Sequence, residues 1–346
     1  MARAKGKDDP LKNALAFERP VRELDLRVEE LREAAKAPRP EGREGKARGK
    51  DREPDPAREL AEAERRRDAA LAEMQSKLTT WQRIQLSRHI ERPGTLDLVE
   101  LLCTDVVELH GDRLFGDDKA IFTALATLGS RRIMVVGHRK GRSTQERIEC
   151  NWGCAHPEGY RKALRAMQLA DRQRLPLLTL INTPGAYPGI GAEERGQASA
   201  IAWNILEMFG LRVPVVSVVI GEGGSGGALG IGVCDRLLVL ENSYYSVISP
   251  EGCASILWKD GARAEEAALA LKLESATLLE LGVADELVPE PPGGAHRDRQ
   301  ALARSLGEAL ARHFEELCVL PVPELLAGRA RKYRHIGRFT GGAAAV

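Results

Sequence analysis

The segment that most constrains the fold is Val213 to Ala228, VPVVSVVIGEGGSGGA. Its apolar run, Val215 to Ile220, reads as a strand, and five of the next seven residues, Gly221 to Gly227, are glycine. A small-residue segment, Ala228 to Val233, follows and reads as the start of a helix. Glycines let backbone N–H groups come close to a ligand, and a helix N-terminus adds free donors and a partial positive charge. Such an arrangement suits negative charge on an oxygen. Five glycines also cost backbone entropy, which a turn without a ligand would not repay.

Three patterns overlap here. Gly221, Gly223 and Gly226 spell GxGxxG, with Glu241 twenty positions past Gly221, as in a dinucleotide-binding fingerprint. Gly223, Ser225 and Gly227 spell GxSxG, the nucleophile elbow of hydrolases. The third reading is a pair of backbone donors for an oxyanion. A phosphate-binding Walker loop is excluded, because no Gly-Lys-Ser/Thr follows. The hydrolase reading needs a base for Ser225, and its candidates are His296, His313 and His335.

The rest of the chain supplies βα spacing. Residues 11–36 read as a helix with Val21, Leu24, Val28 and Leu31 in a narrow stripe. Residues 37–56, rich in proline, glycine and mixed charge, read as a linker. A long helix is expected over Ala57 to Ile90, forming a hairpin with the first. Thr95 is a candidate N-cap for a helix through Leu109. Strands follow at 120–128 and 132–139, then a charged loop from Lys140 to Ile148 and a helix from Pro157 to Arg174. The strand Leu177 to Ile181 leads into the loop TPGAYPGIG, and a helix over Ala192 to Phe209 precedes the glycine segment. Another strand is expected at Leu237 to Leu240, with helices after Pro250. This alternation predicts a mostly parallel α/β sheet with covering helices, whose ligand lies at the carboxyl ends of the strands.

Composition narrows the classes. Basic and acidic residues number 51 and 50, and aromatics are 4%, so neither a basic field nor stacking platforms point to nucleic acid. No long uncharged apolar stretch and no leader-like start occur, so a cytoplasmic protein away from the membrane is expected. The six cysteines include one close pair, Cys150 and Cys154, spaced CxxxC, which predicts free thiols rather than a metal site.

The loops then carry a resemblance. TPGAYPGIGAEERGQ at 183–197, VIGEGGSGGALGIG at 219–232 and YSVISPEGCASILWK at 245–259 resemble the α subunit of bacterial acetyl-CoA carboxylase carboxyltransferase. So do FGDDKAI at 115–121, GHRKGR at 137–142 and PEGYRKALR at 157–165. The resemblance covers about residues 11–36 and 57–290, fades after GGAHRD at 293–298, and makes 37–56 look like an insertion. It implies a crotonase-like (ClpP/crotonase) fold with an N-terminal helical hairpin. The expected division is a helical region at 1–92, a carboxyltransferase domain at 93–320 and a tail at 321–346.

The resemblance also implies an α2β2 heterotetramer with the active site between α and β. There the carboxyl group of carboxybiotin, held on a biotin carboxyl carrier protein, moves to acetyl-CoA and gives malonyl-CoA for fatty acid biosynthesis. Biotin carboxylase would be a further partner. No cofactor is expected to be covalently bound to this chain. It has no biotinyl-lysine Met-Lys-Met site, no ATP-grasp pattern and no paired CxxC zinc ribbon, so those parts belong to other chains.

By the same analogy, the backbone N–H groups of Gly226 and Gly227 are the catalytic oxyanion donors. Gly185, Ala186, Tyr187, Gly224, Ser225 and Ala228 are the substrate-binding positions. Arg139, Lys140, Arg142, Arg161, Lys162 and Arg165 form a basic cluster that either meets CoA phosphates or a partner, or is a solvated helix face. His138 reads as a core or loop hydrogen-bonder, Cys253 as a small buried filler, and Glu222 and Glu251 have no assigned role. The alternatives are an NAD(P)-dependent dehydrogenase using Gly221, Gly223, Gly226 and Glu241, and a scaffold without catalysis.

Overall fold

The computed structural model describes residues 11–36 and 56–337. The expected linker at 37–56 lies outside the described residues apart from its last position. The elements are α1 (Arg19–Lys36), α2 (Pro56–Ser76), α3 (Thr80–Ser87), α4 (Thr95–Leu102), β1 (Cys103–Glu108), β2 (Ile121–Leu128) and β3 (Arg131–His138). Next come α5 (Thr144–Glu149), α6 (Pro157–Gln173), β4 (Leu177–Thr183), α7 (Ile190–Glu194), α8 (Gln197–Gly210), β5 (Val215–Gly224) and α9 (Ser225–Leu229). The chain continues through β6 (Arg236–Leu240), β7 (Tyr244–Ser246), α10 (Pro250–Trp258), α11 (Ala264–Leu271), α12 (Ser275–Glu280), β8 (Glu286–Val288), α13 (Arg299–Cys318) and α14 (Val322–His335).

Two compact units divide between Thr79 and Thr80, rather than at the expected position 92. In the first, α1 and α2 form an antiparallel hairpin, as the ion pairs Arg32–Glu64 and Asp25–Arg67 show by running in opposite directions along the helices. The second unit holds an eight-stranded sheet in the order β1-β2-β3-β4-β5-β6-β8, with β7 paired to β5. From β3 onward the pairings are parallel, and β1 and β2 add an antiparallel edge.

Both faces of the sheet are covered, because the strand residues alternate between two cores. Leu177, Ile181, Val215 and Val219 pack on one side with Tyr160, Ala163 and Met167 of α6 and Met208 of α8. Leu178, Leu180, Val216, Val218 and Ile220 pack on the other with Leu98 of α4 and Leu302, Leu306, Leu310 and Phe314 of α13.

Several expected elements are corrected. The helix of 57–90 is two helices, α2 and α3, and the adjacent β-branched Thr79 and Thr80 mark the break. The Thr80 hydroxyl donates to Glu274 instead of continuing a turn. Gly94, not Thr95, is the N-cap of α4, with Asp97 accepting from its N–H at 2.8 Å. That helix ends at Leu102, because residues 103–108 pair with β2 as an edge strand. The charged loop 140–148 contains α5, started by a Ser143–Glu146 capping box. The helix of 192–209 is interrupted at Gly196, whose φ is 80°. The region treated as a tail, 321–346, begins with the docked helix α14, in which Leu325 and Arg329 are buried. No described helix is long and apolar enough to cross a membrane.

Candidate active site

The glycine segment is not a loop. β5 stays extended through Gly224, and Glu222, Gly223 and Gly224 pair with Tyr244, Tyr245 and Ser246 of β7. α9 begins at once with Ser225, whose φ is 55°. This geometry removes the dinucleotide reading, since Gly221 and Gly223 lie inside a paired strand rather than at a strand-to-helix turn. Glu241 accepts a backbone hydrogen bond from Glu290 at 3.1 Å.

The neighbouring arm, from Thr183 to Tyr187, leans directly on this junction. A Cβ on Gly224 would lie 2.2 Å from the Pro184 carbonyl oxygen, and one on Gly227 2.5 Å from the Gly185 carbonyl carbon. The two arms therefore meet backbone to backbone, which only glycine permits. Thr183 Oγ1 donates to Gly185 O at 2.7 Å and accepts from Gly185 N at 3.0 Å, fixing the turn. The Tyr187 ring stacks on His156 at 4.2 Å, and its N–H donates to Ala155 O, so this side chain packs against the protein.

The amides of Gly226 and Gly227 sit in the first turn of α9, where no intrahelical acceptor exists. Among the described residues neither donates to any protein acceptor. Gly185, Ala186, Gly224, Ser225, Gly226, Gly227 and Ala228 thus meet at one junction, while the Tyr187 side chain turns to His156. Among the described residues no imidazole hydrogen-bonds Ser225. His313 is engaged with Glu286 at 2.7 Å, His296 stacks on His89 at 3.9 Å, and His335 contacts Arg331 O. The hydrolase reading falls with them.

A charged cluster that sequence reasoning left without a role backs the junction. Glu222 is buried on β5, and its carboxylate accepts from Arg88 Nε at 2.6 Å and Tyr244 OH at 2.8 Å, and pairs with Lys140. Arg88 also reaches Glu251 at 2.5 Å. Burial by itself raises the Glu222 carboxyl, but the Lys140 and Arg88 charges, with hydrogen bonds from Lys140 and Tyr244, bring it down to about 2.

The folded value lies below the ordinary carboxylate value of about 4.3, so this stabilisation is present above that pH and is lost as pH falls toward 2. Glu222→Gln is expected to cost about 2 kcal/mol at neutral pH, less than a fully buried pair because Arg88 and Lys140 are partly solvated. It should also flatten the fall in melting temperature between about pH 4.5 and pH 2, measured by thermal scans against the unchanged chain.

His138 is fully buried, accepts from Asn182 N at 3.4 Å, and is pushed down by burial to about 3, so it stays neutral. The basic cluster separates into two parts. Arg161 and Lys162 bind Asp112 and Asp117, and Arg165 binds the carbonyls of His110 and Gly111. These three hold the loop before β2. Cys253 is buried beside Ala254 and Ala267.

Residues 14–337 match the family described as acetyl co-enzyme A carboxylase carboxyltransferase-like. The chain is 52% identical over 325 residues to the acetyl-coenzyme A carboxylase carboxyl transferase subunit alpha of Geobacter metallireducens, covering 94% of this chain and 98% of the relative. It is 51% identical to the protein of that name from Thermus thermophilus, covering 94% and 98%.

Among solved structures it resembles a Pseudomonas malonate decarboxylase hetero-tetramer in complex with coenzyme A, with TM-score 0.53 and 17% identity, covering 64% of this chain and 89% of that one. It also resembles the transcarboxylase 12S core, with TM-score 0.51 and 19% identity, covering 65% and 44%. The fold is that of the crotonase-like carboxyltransferases. The chain belongs to the acetyl-CoA carboxylase carboxyltransferase family.

Proposed function

We propose that this chain is the α subunit of a biotin-dependent carboxyltransferase that, with a β subunit in an α2β2 assembly, makes malonyl-CoA from acetyl-CoA. The carboxyl donor is carboxybiotin on a separate carrier protein, charged by a biotin carboxylase in the cytoplasm. The observation that carries this reading is the pair of amides, Gly226 and Gly227, which have no protein acceptor among the described residues and lie where the 183–187 arm presses on α9.

The chemistry needs such donors. When carboxybiotin releases CO2, negative charge gathers on the biotin ureido oxygen. The biotin nitrogen then takes a proton from the acetyl methyl, and the charge moves to the thioester oxygen of an enolate. The enolate carbon attacks CO2, the new carbon–carbon bond forms, and biotin is left neutral. The Gly226 and Gly227 amides hold the ureido oxygen, and the α9 N-terminus favours its charge. Gly185, Ala186, Tyr187, Gly224, Ser225 and Ala228 wall the ring site. The enolate hole belongs to the β subunit, and no protein nucleophile takes part.

The test is reconstitution. The chain alone, a β subunit alone and the mixture are assayed for malonyl-CoA decarboxylation in the presence of a biotin derivative. Activity confined to the mixture is expected. A well-formed α–β complex without activity overturns the reading.

A further inference from the structure

His138 ends β3 behind the glycine junction, and two unmet polar groups come together there. The residue follows Met134 and Val136 on the side of the strand that packs with Tyr160 and Ala228, so its ring points toward α9. It is fully buried. Nδ1, the ring nitrogen nearer the main chain, accepts from Asn182 N of β4 at 3.4 Å. A ring nitrogen that accepts carries no proton, so the neutral imidazole holds its proton on Nε2. Among the described residues Nε2 has no hydrogen-bond partner.

The unmet acceptor is the Gly227 carbonyl. α9 is a single turn, and the bonds that close it skip this group: Gly230 N donates to Gly226 O at 2.9 Å, and Ile231 N to Ala228 O at 3.3 Å. Among the described residues no other donor is bonded to it. The His138 ring reaches the Gly227 backbone, in a contact that favours the protonated ring, as a carbonyl does and an amide N–H does not. Since Nδ1 is occupied, the nitrogen that meets Gly227 is Nε2. Donor and acceptor stand within reach but short of full hydrogen-bond alignment, and a small movement of α9 satisfies both.

The imidazole is held firmly and the turn is not. Thr95 Oγ1 donates to the His138 carbonyl. Asn182, which donates to Nδ1, accepts from Glu222 N at 3.2 Å through Oδ1, so the ring is tied to the ends of β3, β4 and β5 together. α9 is entered through Ser225 in left-handed backbone, with φ of 55°, and one turn of helix does not fix its own direction.

We propose that His138 is a positioning residue for this turn: its Nε2–H donates to the Gly227 carbonyl and sets the direction in which the Gly226 and Gly227 amides point. It touches no substrate itself. The task of those amides rests on the carboxyltransferase reading, whereas the contact does not.

The test compares His138→Gln with His138→Asn in the complex with a β subunit, by malonyl-CoA decarboxylation with a biotin derivative. A glutamine amide reaches the place of Nε2 and restores the donor, whereas an asparagine amide reaches only the place of Nδ1. His138→Asn is expected to lower kcat about tenfold with the KM for malonyl-CoA unchanged, and His138→Gln to stay within about threefold of the unchanged complex. Equal kcat for the two variants in intact complexes, or a loss that follows melting temperature alone, overturns the positioning role.

A second measurement needs no activity and no variant that folds poorly. Magnetic resonance of the full chain, isotopically labelled at its histidine nitrogens, is expected to show a neutral imidazole with a slowly exchanging proton on Nε2 and a cross-relaxation contact from that proton to Gly227. A proton on Nδ1 instead, or no contact with Gly227, overturns the contact. An inactive unchanged complex with the Nε2–H contact present strikes the proposed reaction and leaves the contact standing.

Discussion

Replacing Arg329 by alanine is expected to lower the free energy of unfolding by about 3–5 kcal/mol. Arg329 lies on α14, has 1% of its surface exposed, and uses all five of its N–H donors. Nε and Nη2 meet the two Asp235 oxygens at 2.9 and 2.7 Å. Nη1 reaches the carbonyls of Met208 and Leu211, and Nη2 also reaches that of Val213. One side chain thus gathers the end of α8, the entry to β5 and the start of β6.

Removing it strands a buried carboxylate and three carbonyls, and unpaired buried groups are costlier than a pair is beneficial. Arg329→Lys keeps the charge but loses the planar fork, so most of the loss should remain. Asp235→Asn added to Arg329→Ala should recover part of it by removing the orphaned charge, although Asp235 also accepts from Val215 N at 2.7 Å. Chemical unfolding of the unchanged chain, Arg329→Ala, Asp235→Asn and the double variant measures this cycle, with Arg329→Lys run beside them. A loss under about 1 kcal/mol would mean that α14 does not brace the sheet.

The same residue shows where sequence reading stops. An arginine in the run RARKYRH looks like a solvated helix face, and nothing local announces that one of its charges faces Asp235, 94 positions earlier. The central strands were legible because apolar runs such as Leu177 to Ile181 have no other place to go. β1 was not, because TLDLVELLCTDVVEL continues a helical repeat, and pairing with β2 decides the outcome after Leu102.

The glycines announced a backbone site, but the expected loop is a strand, since β7 replaces β6 as the partner of Glu222–Gly224. The charge on Glu222 was the available clue to Arg88, Lys140 and Tyr244: a carboxylate inside a buried strand requires compensation. Which distant side chains supply it depends on the tertiary fold.

At the glycine junction, the expected result is a graded loss of carboxyl transfer across Gly226→Ala, Gly227→Ala and Gly227→Pro. A Cβ on Gly226 meets nothing nearer than Ile201 Cδ1 at 3.9 Å, so this change should leave transfer nearly intact. A Cβ on Gly227 lands 2.5 Å from Gly185 C and 2.6 Å from Ala186 N, both backbone atoms that cannot swing away. The 183–187 arm must then part from α9, and donors displaced from a developing charge lose most of their effect. Gly227→Ala keeps its N–H, so its deficit measures the displacement. Gly227→Pro brings the same Cβ and also removes the donor. The further loss between the two should be about a hundredfold, roughly 3 kcal/mol, the usual worth of one oxyanion donor.

The measurement is the rate of malonyl-CoA decarboxylation by each variant in complex with a β subunit, with melting temperature and co-purification confirming that the complex forms. Equal rates for Gly227→Ala and Gly227→Pro in intact complexes would remove the Gly227 amide from the charge-holding role. The junction would then be only the place where two backbones pack closely. A deficit in Gly226→Ala as large as that in Gly227→Ala would show that the ligand itself fills the open space beside Gly226, where the protein presents no neighbour closer than 3.9 Å.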